Sequence, residues 1–242
     1  MGTLSIAICP RLWNQEIGQQ PSFYTHLLYN FLFATTMVVR QLNAVMLLLL
    51  LQAISVFSAY TNLPDVPQGV FNVSTRIEIR SNKHAAWKAL TDFPKYPEWN
   101  PFVRASIMIS SDNATLRDQY PREGRQLFLR TQIPALPLPV NRDTPDVEAN
   151  TQYSYENVTH VQPKEGRLAW KFIAEPNHPN LQSERWSAVS NIGRGKVLYE
   201  SREVFHGPIA ERLKSLLGKT LQDCFTAQGK ALKALLEKCD KD

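Results

Sequence analysis

The C-terminal end of the chain restricts its possible folds most. From Pro208 onward, Ile209, Leu213, Leu216, Leu217, Leu221, Cys224, Phe225, Ala231, Leu232, Leu235 and Leu236 recur at helical spacing. They fall on one broad face of a helix of about 30 residues. Gly218 and Gly229 interrupt the pattern and permit close packing against strands. An apolar face of that length needs a second layer to cover it, and that layer has to come from the residues before it.

Those residues read mostly as strands. Phe71 to Ile79 alternates apolar and polar positions, as a half-buried strand does. Ser81 or Asn82 can cap a short amphipathic helix carrying Ala85, Ala86, Trp87, Ala89 and Leu90. Pro94, Pro97 and Pro101 then forbid a long helix, so one or two broken turns are expected. Strand-like runs follow at Val103–Ile109, Ala114–Tyr120, Arg125–Ile133, Gln152–Val161, Arg167–Ile173, Glu184–Asn191 and Lys196–Phe205. The stretch from Pro134 to Asn150 has little periodicity and reads as an exposed loop. Lys164 to Gly166 and Gly193 to Gly195 are the clearest turns. The sum is an α+β domain, a curved antiparallel sheet around the long C-terminal helix.

The front of the chain differs in kind. Residues 1–60 carry only Arg11, Glu16 and Arg40 as charges. Within them Leu42 to Ala59, about 18 residues, is almost wholly apolar and would rise roughly 27 Å as a helix, near the lower limit of a bilayer span. The expected organisation is an N-terminal extension (1–41), a hydrophobic helix acting as transmembrane or signal segment (42–60), a proline-containing linker (61–70) and the domain (71–238). Two readings stay open. One is a single-pass membrane protein, anchored through this segment, with its C-terminal domain lumenal or extracellular. The other is secretion after cleavage near Ala59, with Met37 as start. Sequons at Asn72, Asn113 and Asn157 permit glycosylation if the domain enters the lumen.

Composition excludes several functions. The formal net charge of +5 is interspersed with acidic residues and does not alternate with aromatics, so a nucleic-acid partner is not expected. Cys9, Cys224 and Cys239 form no CxxC pattern and no Cys/His cluster, so no metal site and no cofactor are expected.

Two stretches, Ile77 to Ser81 and Ala86 to Phe102 (AWKALTDFPKYPEWNPF), are similar to the opening of the START-like superfamily. That group takes in polyketide cyclases, pollen-allergen-like proteins and coenzyme Q-binding proteins. Leu168 to Lys171 (LAWK), Lys196 to Phe205 (KVLYESREVF) and the long helix resemble its closing half, so the resemblance covers about residues 70–238. It implies a helix-grip fold with a cavity between sheet and helix.

The function expected from that resemblance is binding or carriage of a hydrophobic small molecule, lipid, isoprenoid or polyketide-like. The alternative is a cyclase or related enzyme acting on a polyketide-like or terpenoid intermediate. Candidate ligand-binding residues are Trp99, Phe102, Phe128, Trp170, Phe172, Trp186, Tyr199, Leu217, Leu221 and Phe225, each of which also fits ordinary core packing. Trp99 and Asn100 fit either a structural role or the cavity rim. His84, His160, His178 and His206 are scattered, as are Asp92, Glu184 and Glu203. None forms a recognised nucleophile–base pattern, so no residue is singled out as catalytic. By strand parity with Tyr199, Glu203 can face the cavity.

Overall fold

In the computed structural model, Asn82 caps the first short helix through its side chain, which accepts a hydrogen bond from the Ala85 backbone N–H at 2.9 Å. The structure describes residues 39–43, 46, 60–174 and 180–238. The chain divides into two units, 1–60 and 61–242, and every described strand belongs to the second.

Seven strands follow in chain order: β1 (Phe71–Arg80), β2 (Val103–Ile109), β3 (Gln126–Gln132), β4 (Thr151–Gln162), β5 (Arg167–Phe172), β6 (Gln182–Gly193) and β7 (Lys196–His206). The helices are α1 (Lys83–Thr91), α2 (Tyr96–Trp99) and the long α3 (Ala210–Lys238). A 3₁₀ turn at Phe93–Lys95 joins α1 to α2, which is the broken-turn structure the three prolines impose. All strand pairs are antiparallel, in the order β1-β7-β6-β5-β4-β3-β2. The fold is therefore α+β, an open seven-stranded antiparallel sheet with a long C-terminal helix.

From Gln222 onward the helix is fixed to the β1 edge. Gln222 Nε2 donates to the Ser74 carbonyl at 2.7 Å while its Oε1 accepts from the Ser74 N–H at 3.0 Å. Further on, Lys233 Nζ donates to the Glu78 carbonyl at 2.7 Å, and Glu237 accepts from the Arg80 N–H at 2.9 Å. Gly229 permits this approach, since a Cβ there would lie 2.6 Å from Thr75 Oγ1. The helix start depends on Gly207, whose φ of 95° favours glycine and whose missing Cβ would sit 2.6 Å from the Asn180 carbonyl oxygen.

Three expectations change. Ala114–Tyr120 is not a strand: one bridge, Ile109 to Thr115, is all the pairing it makes. Instead Gln119 reaches back, accepting from the Met108 N–H at 2.9 Å and donating to the Met108 carbonyl at 3.2 Å. A side-chain amide thus stands in for a neighbouring strand, which β2 needs less because β3 pairs its other edge.

The linker at 61–70 is bound down against the sheet. The Asn62 N–H donates to Glu200 Oε2 at 2.9 Å, Arg167 Nε donates to the Asn62 carbonyl at 2.7 Å, and Arg202 Nη2 donates to the Pro64 carbonyl. The loop from Pro134 to Asn150 is likewise held. The guanidinium of Arg104, 2% exposed, donates to Asp146 and to the Asn141 and Thr144 carbonyls.

The third correction concerns the front of the chain. Among the described residues no helix is long and apolar enough to cross a membrane. The expected transmembrane helix, the membrane partner, the single-pass localisation and the secretory and glycoprotein reading built on them are corrected on that finding. Most of the hydrophobic segment 42–60 lies outside the described residues. Of the sequons, Asn72 is exposed on β1, Asn113 sits in a turn with φ of 63°, and Asn157 is half-buried on β4.

Candidate functional site

Strand parity decides what faces the long helix. On β5, Leu168, Trp170 and Phe172 share one face; on β6, Ser183 and Arg185; on β7, Tyr199, Ser201, Glu203 and Phe205. On β3 and β4 the same side of the sheet carries Leu129, Thr131, Ser154 and Glu156. Leu213, Leu217 and Leu221 approach from α3, and Phe102 and Ile133 complete the wall. Together they line a partly open cavity of about 200 Å³. Two larger hollows, about 470 and 280 Å³, lie beside α1, and none of the charged groups lining them is buried.

The cavity is apolar over most of its wall, but buried polar groups converge at one place. Arg185 is 3% exposed. Its Nε donates to Ser201 Oγ at 3.2 Å and its Nη2 to Gln228 Oε1 at 2.9 Å. Gln228, on α3, in turn donates to the Tyr199 hydroxyl at 3.3 Å. The guanidinium lies over the Phe225 ring at 4.2 Å from its centroid, with the Trp170 and Phe102 rings at 5.5 and 5.6 Å. Those ring faces supply negative potential to a largely buried cation.

Two carboxyls share this lining. Ser154 Oγ donates to Glu156 Oε1 at 2.8 Å, and Ser183 Oγ donates to Glu203 Oε1 at 2.7 Å. Burial, with the neighbouring Glu203 charge second, pushes the Glu156 carboxyl up to about 8. Burial also raises Glu203, against the opposing pull of Arg185 and the Ser183 hydrogen bond. Burial thus favours the protonated form of Glu156, which can donate a hydrogen bond or a proton.

Of the ten residues marked out in the sequence, Phe102, Trp170, Phe172, Leu217 and Leu221 line this cavity. Phe225 is fully buried beneath Arg185, and Tyr199 is buried with its hydroxyl on Gln228. Three lie elsewhere. Phe128 is on the opposite face of the sheet, its ring 5.8 and 5.4 Å from those of Tyr153 and Tyr155. Trp186 packs 4.6 Å from His160 by ring centroids, also away from the cavity. Trp99 is 5% exposed, set edge-on to Tyr96 at 5.2 Å, and borders a hollow beside α1. Its neighbour Asn100 holds the turn, accepting from the Phe102 and Val103 N–H groups at 3.0 Å each.

Arg185, Glu156, Ser183 and Gln228 were not singled out from the sequence. A usable signal existed for Arg185: it is a charge at an inward parity on a strand with Ser183, Ser187 and Val189 on the same side. Glu156 gave less warning, because β4 carries polar residues on both faces.

Residues 70–237 match the family model described as polyketide cyclase / dehydrase and lipid transport. Among curated proteins, none matches the sequence. The chain is similar to a solved hypothetical protein of Helicobacter pylori at 14% identity, covering 74% of this chain and 99% of that one, with a TM-score of 0.51. It is also similar to a START superfamily protein of Mycobacterium smegmatis (16% identity, 69% and 98% covered, TM-score 0.44). A major latex-like protein of Panax ginseng is matched at 9% identity, with 69% and 97% covered and a TM-score of 0.49.

Proposed function

This chain belongs to the polyketide cyclase / dehydrase and lipid transport family, and on that premise we propose that it binds or carries a small hydrophobic molecule in the cavity between its sheet and its long helix. On this reading 71–238 is the ligand-binding domain, its sheet a curved grip around α3, and 61–70 a strap over the other face. One observation carries the proposal: an apolar cavity of about 200 Å³ on which a few buried polar side chains converge. Its size sets the class of ligand. Drug-sized molecules occupy roughly 300 Å³ or more, whereas benzene fits an engineered apolar cavity of about 150 Å³. The occupant is then one or two rings or a short branched chain.

The proposed ligand contacts are Phe102, Trp170, Phe172, Leu217 and Leu221, with Phe225 supporting them from below. Extraction of the natively purified full chain, followed by mass analysis of small molecules, tests this. A hydrophobic compound released in stoichiometric amount is the expected result, and a cavity that stays empty in the presence of apolar probes contradicts it.

A second reading, turnover of a polyketide-like or terpenoid intermediate, is favoured by Glu156, with Arg185 beside it in the cavity lining. A carboxyl that titrates near 8 is a proton donor poised near neutrality, and Arg185 lines the same cavity as a cation for developing negative charge. On this reading Glu156→Gln abolishes turnover and leaves binding intact; unchanged turnover removes Glu156 from the chemistry.

A further inference from the structure

Arg185 raises a question that fold and packing alone leave unanswered. A buried guanidinium is ordinarily paired, because burial strips the cation of the water that would solvate it. Here no carboxylate lies within 4.0 Å of it among the described residues, whereas the Arg104 guanidinium, equally buried, has Asp146 at 3.0 Å. Its Nε and Nη2 are engaged by neutral partners, the Ser201 hydroxyl and the Gln228 amide. Among the described residues its remaining nitrogen, Nη1, makes no hydrogen bond. The two carboxyls that share the cavity are each held by their own serine, Glu203 by Ser183 and Glu156 by Ser154.

We propose that the cavity takes small apolar molecules bearing a single carboxylate, which sets its charge on Arg185 and its hydrocarbon body against Trp170 and the leucines of α3. This rests on the binding reading above and names the class of ligand. The ring centroids lie 4.2–5.6 Å from the guanidinium carbon, Nε and Nη2 are engaged, and Nη1 is left as a charged donor that suits a carboxylate oxygen. The raised carboxyls agree with this: burial favours the neutral form of both Glu156 and Glu203, which weakens them as counter-charges to Arg185, and a neutral carboxyl offers the anion an additional donor. A neutral ligand would add no charge to the neutral hydrogen-bond partners Arg185 already has, and an amine would add a second cation beside it.

Calorimetric titration of the full chain with three probes on one ring system tests the proposal: 2-naphthoate, 2-naphthamide and 2-naphthylmethylamine. The expected order is naphthoate tighter than naphthamide by about tenfold or more, with no measurable binding of the amine. In Arg185→Met the naphthoate preference falls to within about twofold while naphthamide affinity is retained, and Arg185→Lys keeps part of the preference. If the methionine variant does not fold, the wild-type ranking decides by itself. Equal affinities, or preference for the amine, overturn the carboxylate proposal and leave the binding reading standing. No binding of any probe overturns both.

Discussion

The guanidinium carbon of Arg185, on β6, lies 4.2 Å above the centre of the Phe225 ring on α3, and this contact ties the middle of the sheet to the middle of the long helix. Phe225 is fully buried and also meets the Phe102 ring at 5.8 Å. Truncation to alanine removes that packing and opens space beneath a buried cation. Phe225→Ala is expected to lose about 3–5 kcal/mol. Phe225→Leu retains most of the volume but not the ring face, for a loss of about 2 kcal/mol. Urea denaturation of the three proteins checks the order.

The two glycines of α3 give opposite expectations. A Cβ at Gly229 would meet Thr75, where the helix lies against β1, so Gly229→Leu forces the elements apart and destabilises the fold by about 2 kcal/mol or more. A Cβ at Gly218 meets nothing closer than the Lys214 side chain at 3.6 Å. Gly218→Ala is therefore expected to raise stability by up to about 1 kcal/mol through helix propensity. Melting temperatures moving in opposite directions are the predicted result.

Glu156 makes stability depend on pH in a definite direction. Its carboxyl sits at about 8 in the folded chain, against an ordinary value of 4.5, because burial disfavours the charged form. The folded state thus holds its proton more tightly than the unfolded state. The stabilising contribution is complete below the ordinary value and is lost as pH rises through the folded one. Glu203, raised for the same reason, adds to the slope. Denaturation midpoints of the wild type are expected to fall between pH 5 and about 9, and Glu156→Gln to flatten that fall. Equal slopes in both proteins would place the Glu156 titration outside this window.

Glu200 helps hold the segment at 61–70. It is 3% exposed, receives the Asn62 N–H at 2.9 Å and pairs with Arg76 Nη1 at 2.5 Å. Removing one partner of a fully buried pair costs roughly 3–5 kcal/mol, but the Arg76 side chain is 40% exposed, so a smaller loss is expected for Glu200→Ala. Limited proteolysis is expected to cut the variant within 61–69 faster than the wild type.

The parts of this fold that were legible in the sequence are those with a period. The helix from Ala210 shows its apolar face every three or four residues, and the alternation from Phe71 to Ile79 marks β1. Turn chemistry exposed the β6–β7 connection, where Gly193, Arg194 and Gly195 all have positive φ. The strap and the run after β2 were not legible. The first is held by Glu200, Arg167 and Arg202 from distant strands and the second by the Gln119 side chain folding back on Met108, and no periodic pattern records such bonds.

The site was half legible for a related reason. Aromatic character marked Trp170 and Phe172, which line the cavity, together with Phe128 and Trp186, whose parity puts them on the opposite face. The polar cluster needed the register of β6 against β7, which sets Arg185 opposite Glu203. Only pairing across strands brings those two side chains and Glu156 into one cavity.

The cavity itself is the central claim, and Leu217 is the place to test it, since this half-buried residue lines the space and carries little of the core. Calorimetric titration of the full chain with neutral 2-naphthamide should show one molecule bound per wild-type chain. In Leu217→Trp the indole fills the space, so binding should be lost while the melting temperature stays within a few degrees of wild type. Binding that persists undiminished in the tryptophan variant would contradict a ligand site between the sheet and the long helix.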